Sequence, residues 1–272
     1  MWIVVTAVAV VGVLVAVVSV GQRRLLYVPD TTDVGTVADR VSGAQDITLT
    51  TDDGLDLAAW LLPPTGTDRE TAVLYCPGNG GNRLGRLGVG QAIAAEGFTV
   101  LLLEYRGYGA NPGSPSEEGL ARDARAAAAH LRDAGFTPER TVYVGESIGT
   151  GVCTGLSVTD PPAAMLLRSP FPSMVDVAQN AVPFLPMGLL LRDRFPSAER
   201  LTESDVPVMI LHGDADDVVP SRLSAELASQ VGNLHSEVVL SGVGHNDPIW
   251  FGPYLAEAVA ELADATVGTA PD

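Results

Sequence analysis

A serine lies at the centre of the sequence Gly145-Glu146-Ser147-Ile148-Gly149, between an apolar run and a helical pattern. In such a strand-to-helix turn the serine takes a strained conformation, and a glycine two residues away on either side removes side chains that would clash. The turn then presents the serine hydroxyl at the start of the helix. The pattern therefore predicts that Ser147 is a nucleophile. The alternative is an ordinary serine in a glycine-rich turn.

A serine hydroxyl needs a base to take its proton, and the chain has four histidines. His130 lies within a helical pattern among alanines, His212 ends an apolar run, and His235 begins the last one. His245 instead follows the final apolar run, in the loop Gly242-Val243-Gly244-His245-Asn246, which can bring an imidazole over a sheet. His245 is therefore the predicted general base, against the alternative of a loop histidine with a structural role.

The base needs an acid that holds its tautomer and stabilises the imidazolium. Asp214, Asp216 and Asp217 follow one apolar run, and spacing alone does not choose among them, since loop acids also serve as caps. The preceding Gly213 reverses the chain, so a residue a few positions on is better placed to face His245. Asp216 is the predicted acid, with Asp214 and Asp217 as alternatives. The resulting order Ser, Asp, His suits a serine hydrolase on an open α/β sheet.

Apolar runs that predict buried strands alternate with amphipathic runs that predict helices. The strand runs are 47–51, 57–62, 72–76, 99–103, 141–145, 163–167, 208–211 and 237–240, and the helical runs are 84–96, 116–134, 148–158, 221–231 and 253–262. The first two strands flank Asp52-Asp53-Gly54 and predict a hairpin, and Ser114 and Pro115 predict the start of the second helix. The alternation predicts an α/β fold with a mostly parallel, doubly wound sheet, in which ligands bind beyond the carboxyl ends of the strands.

These motifs together resemble the α/β-hydrolase superfamily over about residues 45–265. The resemblance is carried by residues 145–149, by His212-Gly213-x-x-Asp216 followed by Val219-Pro220, and by Gly244-His245. Within the superfamily, the chain is similar to the small membrane-anchored group with one N-terminal helix, in which the aspartate of the matching motif is the acid, and this favours Asp216. The group's Arg-Gly-Tyr-Gly turn is matched by Arg106-Gly107-Tyr108-Gly109, which is expected to shape the wall of the site.

The resemblance also implies two backbone donors for an oxyanion. One is the N–H that follows the serine, which is that of Ile148. The other lies in the loop after the third strand, Cys76-Pro77-Gly78-Asn79-Gly80-Gly81-Asn82, where Asn79 matches the donor position. Pro77 departs from the family pattern, because it replaces a histidine that is common before that glycine. The alternative is a flexible glycine turn without a role.

An insertion between two predicted strands is expected to form a short cap over the site. This cap, at about residues 171–203, is rich in large apolar side chains and contains prolines, among them Pro172, Pro183 and Pro186. The functional interpretation is a lipophilic cap that admits an acyl chain and excludes water, with Phe171 and Phe184 as substrate contacts. The alternative is that the apolar side chains simply pack on the sheet.

Composition narrows the classes of function. The 272 residues carry a net charge of −17, and all 16 basic residues are arginine, so the surface repels phosphate backbones and nucleic-acid binding is disfavoured. A hydrophobic content of 46% excludes wholesale disorder. Cys76 and Cys153 are too few for a disulfide framework or a zinc site. No metal or cofactor is expected.

The N-terminal residues 3–20 are almost entirely apolar and are followed by Arg23 and Arg24. As a helix this segment would span roughly 27 Å, which is close to the hydrocarbon thickness of a bilayer. It is predicted to be a single transmembrane anchor, and the arginines on its C-terminal flank place the following domain on the cytoplasmic side. The alternative is a signal peptide that is cleaved from a secreted protein, although no Lys or Arg precedes the apolar run.

The predicted organisation is an anchor at 1–22, a linker at 23–44, an α/β-hydrolase domain at 45–265 and a tail at 266–272. The predicted function is hydrolysis of an ester or thioester of an acyl compound, either a small molecule or a lipid, through an acyl-enzyme. A peptidase or amidase of the same fold is an alternative, because the triad serves amides as well. A non-catalytic, membrane-tethered ligand-binding protein is the alternative from another class.

Overall fold

The computed structural model describes Gly12 and residues 21–268. One eight-stranded sheet forms the centre of this part of the chain, with the order β10-β9-β8-β7-β4-β6-β3-β2. The strands are β2 (Gln45–Thr50), β3 (Asp56–Leu62), β4 (Ala72–Cys76), β6 (Thr99–Leu102), β7 (Thr141–Glu146), β8 (Ala164–Arg168), β9 (Val208–Gly213) and β10 (Leu234–Leu240). A separate two-stranded sheet pairs β1 (Val28–Pro29) in parallel with β5 (Gly80–Gly81).

The strands that carry the site are parallel and fully buried. Strands β4, β7, β8 and β9 have no exposed residue, as expected for strands that are covered on both faces and read as continuous apolar runs. Antiparallel pairing is confined to the edge that contains β2 and β3, where Thr50 pairs with Asp56. The predicted hairpin and the mostly parallel sheet are therefore confirmed.

Helices cover both faces of the sheet. They are α1 (Leu87–Ala95), α2 (Glu117–Asp133), α3 (Ile148–Ser157), α4 (Met174–Ala181), α5 (Met187–Leu190), α6 (Ser197–Leu201), α7 (Ser221–Ala228) and α8 (Pro253–Thr266). One apolar core lies under α1 and α8, and a second lies under α2, α3 and α7. The parallel strands run between these cores, so their carboxyl ends emerge together at one rim.

The predicted start of the second helix is wrong by two residues. The cap of α2 is Ser116, whose side chain accepts a hydrogen bond from the N–H of Gly119, and Glu117 and Glu118 occupy the first turn. Ser114 and Pro115 precede this cap. A serine at either position satisfies the sequence rule, but a cap at Ser116 places Glu117 and Glu118 in the first turn, where they interact favourably with the helix N-terminus.

The segment between β8 and β9 contains the short helices α4, α5 and α6. Its apolar side chains divide into two sets. Met174, Leu185 and Phe195 are buried against the core, whereas Phe184 is 73% exposed and Leu189 is 86% exposed.

The predicted transmembrane segment 3–20 lies, apart from Gly12, outside the described residues. In the part of the chain that the structure describes, no helix has the length and apolar character that crossing a bilayer requires. Residues 21–26 are helical and lead into β1.

Candidate active site

The residue after β7 has a backbone conformation that side chains rarely adopt. Ser147 has φ 53° and ψ −117° and caps the N-terminus of α3. The two flanking glycines are required here, because a Cβ on Gly145 would lie 2.7 Å from the Cα of Thr150 and one on Gly149 would lie 2.1 Å from the carbonyl oxygen of Cys76. The turn is therefore a sharp elbow of the kind that presents a nucleophile at the carboxyl edge of a sheet.

Hydrogen bonds fix this elbow on both sides. The N–H of Ser147 donates to the carbonyl of Arg168 at 2.9 Å, and the N–H of Thr150 donates to the carbonyl of Ser147 at 2.9 Å. Both contacts use the serine backbone, so neither occupies its hydroxyl. The serine side chain lines a cavity at the rim of the sheet.

The predicted base and acid are in direct contact. Nδ1 of His245 lies 2.7 Å from Oδ2 of Asp216, and both side chains are buried. Because Nδ1 is engaged by the carboxylate, Nε2 is the ring nitrogen left for proton transfer. Gly213 permits this approach, because a Cβ there would lie 1.9 Å from the carbonyl oxygen of Val243.

The environment of Asp216 favours its charged form. Burial raises the pKa of this carboxyl, but hydrogen bonds from His245 and from the N–H of Val219 outweigh burial and hold the pKa below its ordinary value. The second oxygen of the carboxylate also accepts a bond from the N–H of Val218 at 3.0 Å. An ionised Asp216 can orient the imidazole and stabilise an imidazolium.

The two alternative aspartates lie elsewhere. Asp214 accepts hydrogen bonds from the hydroxyl of Ser241 and the N–H of Gly242, and it is exposed. Asp217 is also exposed. Of the three predicted candidates, only Asp216 is hydrogen-bonded to His245.

Ser147 and His245 line the same cavity, which has a volume of about 560 Å³. Its other lining residues are Val28, Gly78, Asn79, Gly80, Gly81, Gly85, Arg86, Glu146, Val218, Asn246 and Phe251. The cavity thus combines a glycine-rich wall with a few apolar side chains, and it brings the predicted nucleophile, the predicted base and the predicted oxyanion loop together.

The predicted oxyanion donors lie beside this cavity. Ile148 is the first residue of α3, where the N–H groups of the first turn have no acceptor within the helix. Asn79 lines the cavity, its carbonyl accepts from the hydroxyl of Tyr108 at 2.9 Å, and its side-chain amide donates to the carbonyl of Leu26. These contacts use the carbonyl and the side chain of Asn79, so its N–H remains for a ligand.

A buried ionic network lies directly behind the serine. The carboxylate of Glu146 is 2.7 Å from Nη2 of Arg86 and 3.0 Å from Nη2 of Arg168, and it accepts a hydrogen bond from the hydroxyl of Tyr75 at 2.9 Å. Burial raises the pKa of Glu146, but Arg168 and Arg86 outweigh burial and hold this pKa at about 2. Glu146 is therefore ionised at neutral pH, although its side chain is only 4% exposed.

Arg168 connects this network to the loop of the base. Its Nη1 donates to the carbonyl of His245 at 2.8 Å, and its guanidinium lies 5.9 Å from the ring centre of Trp250. Arg86 makes a comparable link on the other side, since its Nη1 donates to the carbonyl of Gly80 at 2.8 Å. One carboxylate thus organises the elbow, the histidine loop and the glycine-rich loop.

The two predicted substrate contacts lie away from the cavity walls. Phe171 is fully buried in the core, and Phe184 is exposed on the surface of the cap. Neither is among the residues that line the cavity, so their contact with substrate stays a prediction. In the described part of the chain, no group of three or more His, Cys, Asp or Glu side chains could hold a metal ion.

Comparison with known proteins shows which family has a similar sequence. The family model of the alpha/beta hydrolase fold matches residues 71–190. An uncharacterized protein of Mycobacterium tuberculosis is 42% identical over 247 residues, which cover 90% of this chain and 88% of that protein. The chain belongs to the α/β-hydrolase superfamily.

Two other similar proteins have names that state an activity. The lysophosphatidylserine lipase of Danio rerio is 28% identical over 228 residues, which cover 69% of this chain and 59% of the lipase. The structure of a Pyrococcus furiosus esterase superposes with a TM-score of 0.69 over 89% of this chain and 98% of the esterase. At 19% sequence identity, the esterase supports the fold alone.

Sequence reasoning missed the network behind the elbow of this α/β-hydrolase. The sequence patterns assign no role to Glu146, which lies within the serine motif, or to Arg168. A signal was present, because Arg168 directly follows the apolar run 163–167. An arginine at the carboxyl end of a buried parallel strand must find a buried anion, and the glutamate beside the serine was available.

Proposed function

We propose that this α/β-hydrolase is a serine hydrolase that cleaves carboxylic esters or thioesters of acyl compounds through Ser147, His245 and Asp216. The observation that carries the proposal is the strained elbow at Ser147, which shares a cavity with a histidine whose Nδ1 is 2.7 Å from a buried aspartate. A scaffold that only binds a ligand needs none of these three side chains in this arrangement.

In the first half of the reaction, the Oγ of Ser147 attacks the acyl carbon, and its proton passes to Nε2 of His245. The carbonyl oxygen takes the negative charge and accepts hydrogen bonds from the N–H groups of Ile148 and Asn79. Each such donor contributes about 3 kcal/mol of transition-state stabilisation in comparable sites. The imidazolium then gives its proton to the leaving alcohol or thiol, and an acyl-enzyme remains.

In the second half, water attacks the acyl-enzyme while His245 takes a proton from it. The tetrahedral intermediate uses the same two donors, and its collapse returns the proton to Ser147 and releases the acid. Asp216 stays ionised throughout and holds Nδ1. The cycle uses only side chains of this protein and water.

An acyl substrate fits the cavity better than a compact polar one. Val28, Val218 and Phe251 supply apolar walls, and glycines let the backbone approach the reacting group. The name of the Danio rerio relative describes a lipase, and an apolar segment precedes the described domain of this protein. These features support an acyl ester or thioester, from a small molecule or a lipid, as the substrate class.

Labelling with a fluorophosphonate tests the nucleophile. The wild-type chain is expected to be labelled at Ser147, and the Ser147→Ala variant is expected to be inert. The variant Ser241→Ala, which removes a hydroxyl that donates to Asp214, is the control and should label like wild type. A wild-type chain that takes no label would favour a non-catalytic ligand-binding protein.

Hydrolysis of a substrate series tests the bond type. We expect turnover of p-nitrophenyl esters, with a preference for longer acyl chains, and little turnover of an aminoacyl anilide. Faster turnover of the anilide would overturn the ester assignment and favour a peptidase or amidase. Comparing matched acyl esters and acyl thioesters then separates the two remaining classes.

We also propose that residues 3–20 tether the hydrolase to a membrane with the domain on the cytoplasmic side. The support is the apolar sequence and the arginines that follow it. Deleting residues 1–20 is expected to move the protein from the membrane fraction to the soluble fraction. An unchanged membrane fraction, or digestion of the domain by protease added outside intact cells, would contradict this proposal.

A further inference from the structure

The residues that follow the apolar N-terminal segment contact two regions of the hydrolase domain. We call residues 22–30 the strap. At one end the strap is bonded to the cap segment 190–193, and at the other end it is bonded to the loop 79–81. The strap also supplies Val28 to the wall of the cavity that holds Ser147.

The cap end of the strap is held by a buried carboxylate. Nε of Arg23 lies 3.0 Å from Oδ2 of Asp193, Nη2 of Arg23 lies 3.1 Å from Oδ1, and the hydroxyl of Tyr27 donates to the same carboxylate at 3.1 Å. Asp193 is 3% exposed. The side chain of Gln22 adds hydrogen bonds to the carbonyl of Leu190 and from the N–H of Arg192.

The other end of the strap is paired with the predicted oxyanion loop. The N–H of Val28 donates to the carbonyl of Asn79 at 3.2 Å, and the N–H of Asp30 donates to the carbonyl of Gly81 at 3.1 Å. The side-chain amide of Asn79 donates back to the carbonyl of Leu26. These contacts fix the carbonyl group and the side chain of Asn79.

The loop needs such support because its glycines allow the backbone many conformations. Gly78, Gly80 and Gly81 leave the backbone on both sides of Asn79 with many accessible conformations, and Gly81 has φ 81°. An oxyanion donor is useful only when it is aimed within a few tenths of an ångström of the developing charge. A loop that moves freely would give up most of that stabilisation.

We propose that the strap is a positioning element that holds the N–H of Asn79 in its catalytic orientation by bracing the oxyanion loop against the cap. This inference rests on the proposed serine hydrolase function. It gives Arg23, Tyr27 and Val28, which precede the hydrolase domain, a positioning role in acyl transfer. Arg23 and Tyr27 act only through the loop and do not touch the substrate.

Two neighbouring arginines provide a matched pair of variants in the full chain. Arg23 is bonded to Asp193, whereas Arg24 is exposed, and each replacement by alanine removes one positive charge beside the predicted anchor. We expect Arg23→Ala to lower kcat for an ester about tenfold with KM within twofold, which is less than the loss from deleting a donor outright. Arg24→Ala should match wild type.

Two inhibitors distinguish a misplaced oxyanion donor from a general disruption of the cavity. A trifluoromethyl ketone is attacked by Ser147 and forms a hemiketal whose oxyanion needs the two donors, whereas the matched unfluorinated alkane with the same chain occupies the cavity without reacting. We expect Arg23→Ala to weaken binding of the ketone by about the same tenfold factor and to leave binding of the alkane unchanged. Equal weakening of both would show a merely structural role and overturn the proposal.

A second variant reaches the other end of the strap. Val28→Pro removes the N–H that donates to Asn79 and leaves the bonds at the cap in place. It should reproduce the loss in kcat and in ketone binding. If the wild-type chain is an active esterase, and both Arg23→Ala and Val28→Pro keep its kcat and its affinity for the ketone, the strap proposal is overturned. A wild-type chain without esterase activity or labelling would instead overturn the proposed function.

Discussion

The two halves of the candidate site are supported in different ways. Ser147 directly follows β7 and Asp216 lies three residues beyond β9, and backbone contacts leave no space for a Cβ on Gly145 or Gly213 at the ends of these strands. Asn79 lies three residues beyond β4 in a glycine-rich loop, and its bonds run to the strap and to Tyr108. Ser147 and Asp216 are thus fixed by the packed ends of the sheet, whereas the position of Asn79 also depends on the strap.

The difference separates two kinds of change. A substitution of a residue that supports Ser147 or Asp216 from the core also disturbs a tightly packed sheet edge. The oxyanion side can be altered from a distance, because the strap reaches Asn79 from outside the eight-stranded sheet. Loss of oxyanion binding with the fold intact is therefore expected from substitutions in the strap that do not touch the substrate.

The largest expected effect is on the acid. Asp216→Asn should lower kcat for esters by about 10⁴-fold, because an amide no longer holds the imidazole in the reactive tautomer. Asp214→Asn is the matched control, since Asp214 lies in the same loop and its carboxylate accepts hydrogen bonds from Ser241 and Gly242 rather than from His245. Steady-state kinetics measure both. A comparable loss in Asp214→Asn would contradict the assignment of the acid.

The next effect tests the oxyanion donor itself. Asn79→Pro removes the backbone N–H and should lower kcat by about 10²- to 10³-fold, with a smaller change in KM. Asn79→Ala keeps the N–H but loses the side-chain bond to Leu26, so it should show only the milder loss expected of a strap variant. Equal kcat values for these two variants would show that Asn79 is not a backbone donor.

A third prediction concerns how the ionisation of Glu146 contributes to the free energy of unfolding. The pKa of Glu146 is held at about 2 in the folded chain, below its ordinary value of 4.5, so its ionisation contributes about 3 kcal/mol to folding above pH 4.5. Because the folded pKa is depressed, this contribution is lost as pH falls from about 4.5 to 2. The free energy of unfolding by urea should fall over this window.

In Glu146→Gln that part of the pH dependence should be absent, and the variant should be less stable at neutral pH because Arg86 and Arg168 lose their partner. Glu118→Gln is the control, because Glu118 is 77% exposed. It should keep the stability profile of wild type. A pH dependence of Glu146→Gln equal to that of wild type would contradict the prediction.

The smallest effect compares two apolar walls of the cavity. Val28 belongs to the strap and Val218 to the loop of the acid, and both are about half exposed. Each valine is replaced by alanine in turn. The variant that loses a contact with the acyl chain should raise KM for a long-chain ester about two- to fivefold and leave kcat unchanged, because that contact stabilises the bound substrate and the transition state equally. If KM changes in neither variant, the acyl chain lies elsewhere.

Much of the fold was predictable because each buried strand and each turn carries a local signal. The apolar runs correspond to β4, β7, β8 and β9, and Asp52-Asp53-Gly54 marks the hairpin. The motif around Ser147 and the glycines beside His245 predicted residues that the structure brings to one cavity. These signals are local because the steric demands of the elbow and turns act within a few residues.

The rest of the site depends on contacts between distant residues. The sequence predicted a linker at 23–44, and nothing in the composition of that segment indicates that Arg23 bonds Asp193 or that Val28 pairs with Asn79. The cap was expected to present Phe171 and Phe184 to substrate, but an apolar residue type alone does not distinguish packing in the core from exposure on a surface. Pairing of Glu146 with Arg168 likewise needs the neighbouring strands to be known.

The bond between Arg23 and Asp193 joins residues that are 170 positions apart in the chain. During synthesis, the strap emerges long before its partner, and closing so long a stretch of chain costs more entropy than forming the turn at Ser147. In a nascent chain, the oxyanion loop can therefore pair with the strap before the strap is braced against the cap. Because Asp216 and His245 are made after Asp193, this brace can close before the proposed triad is complete.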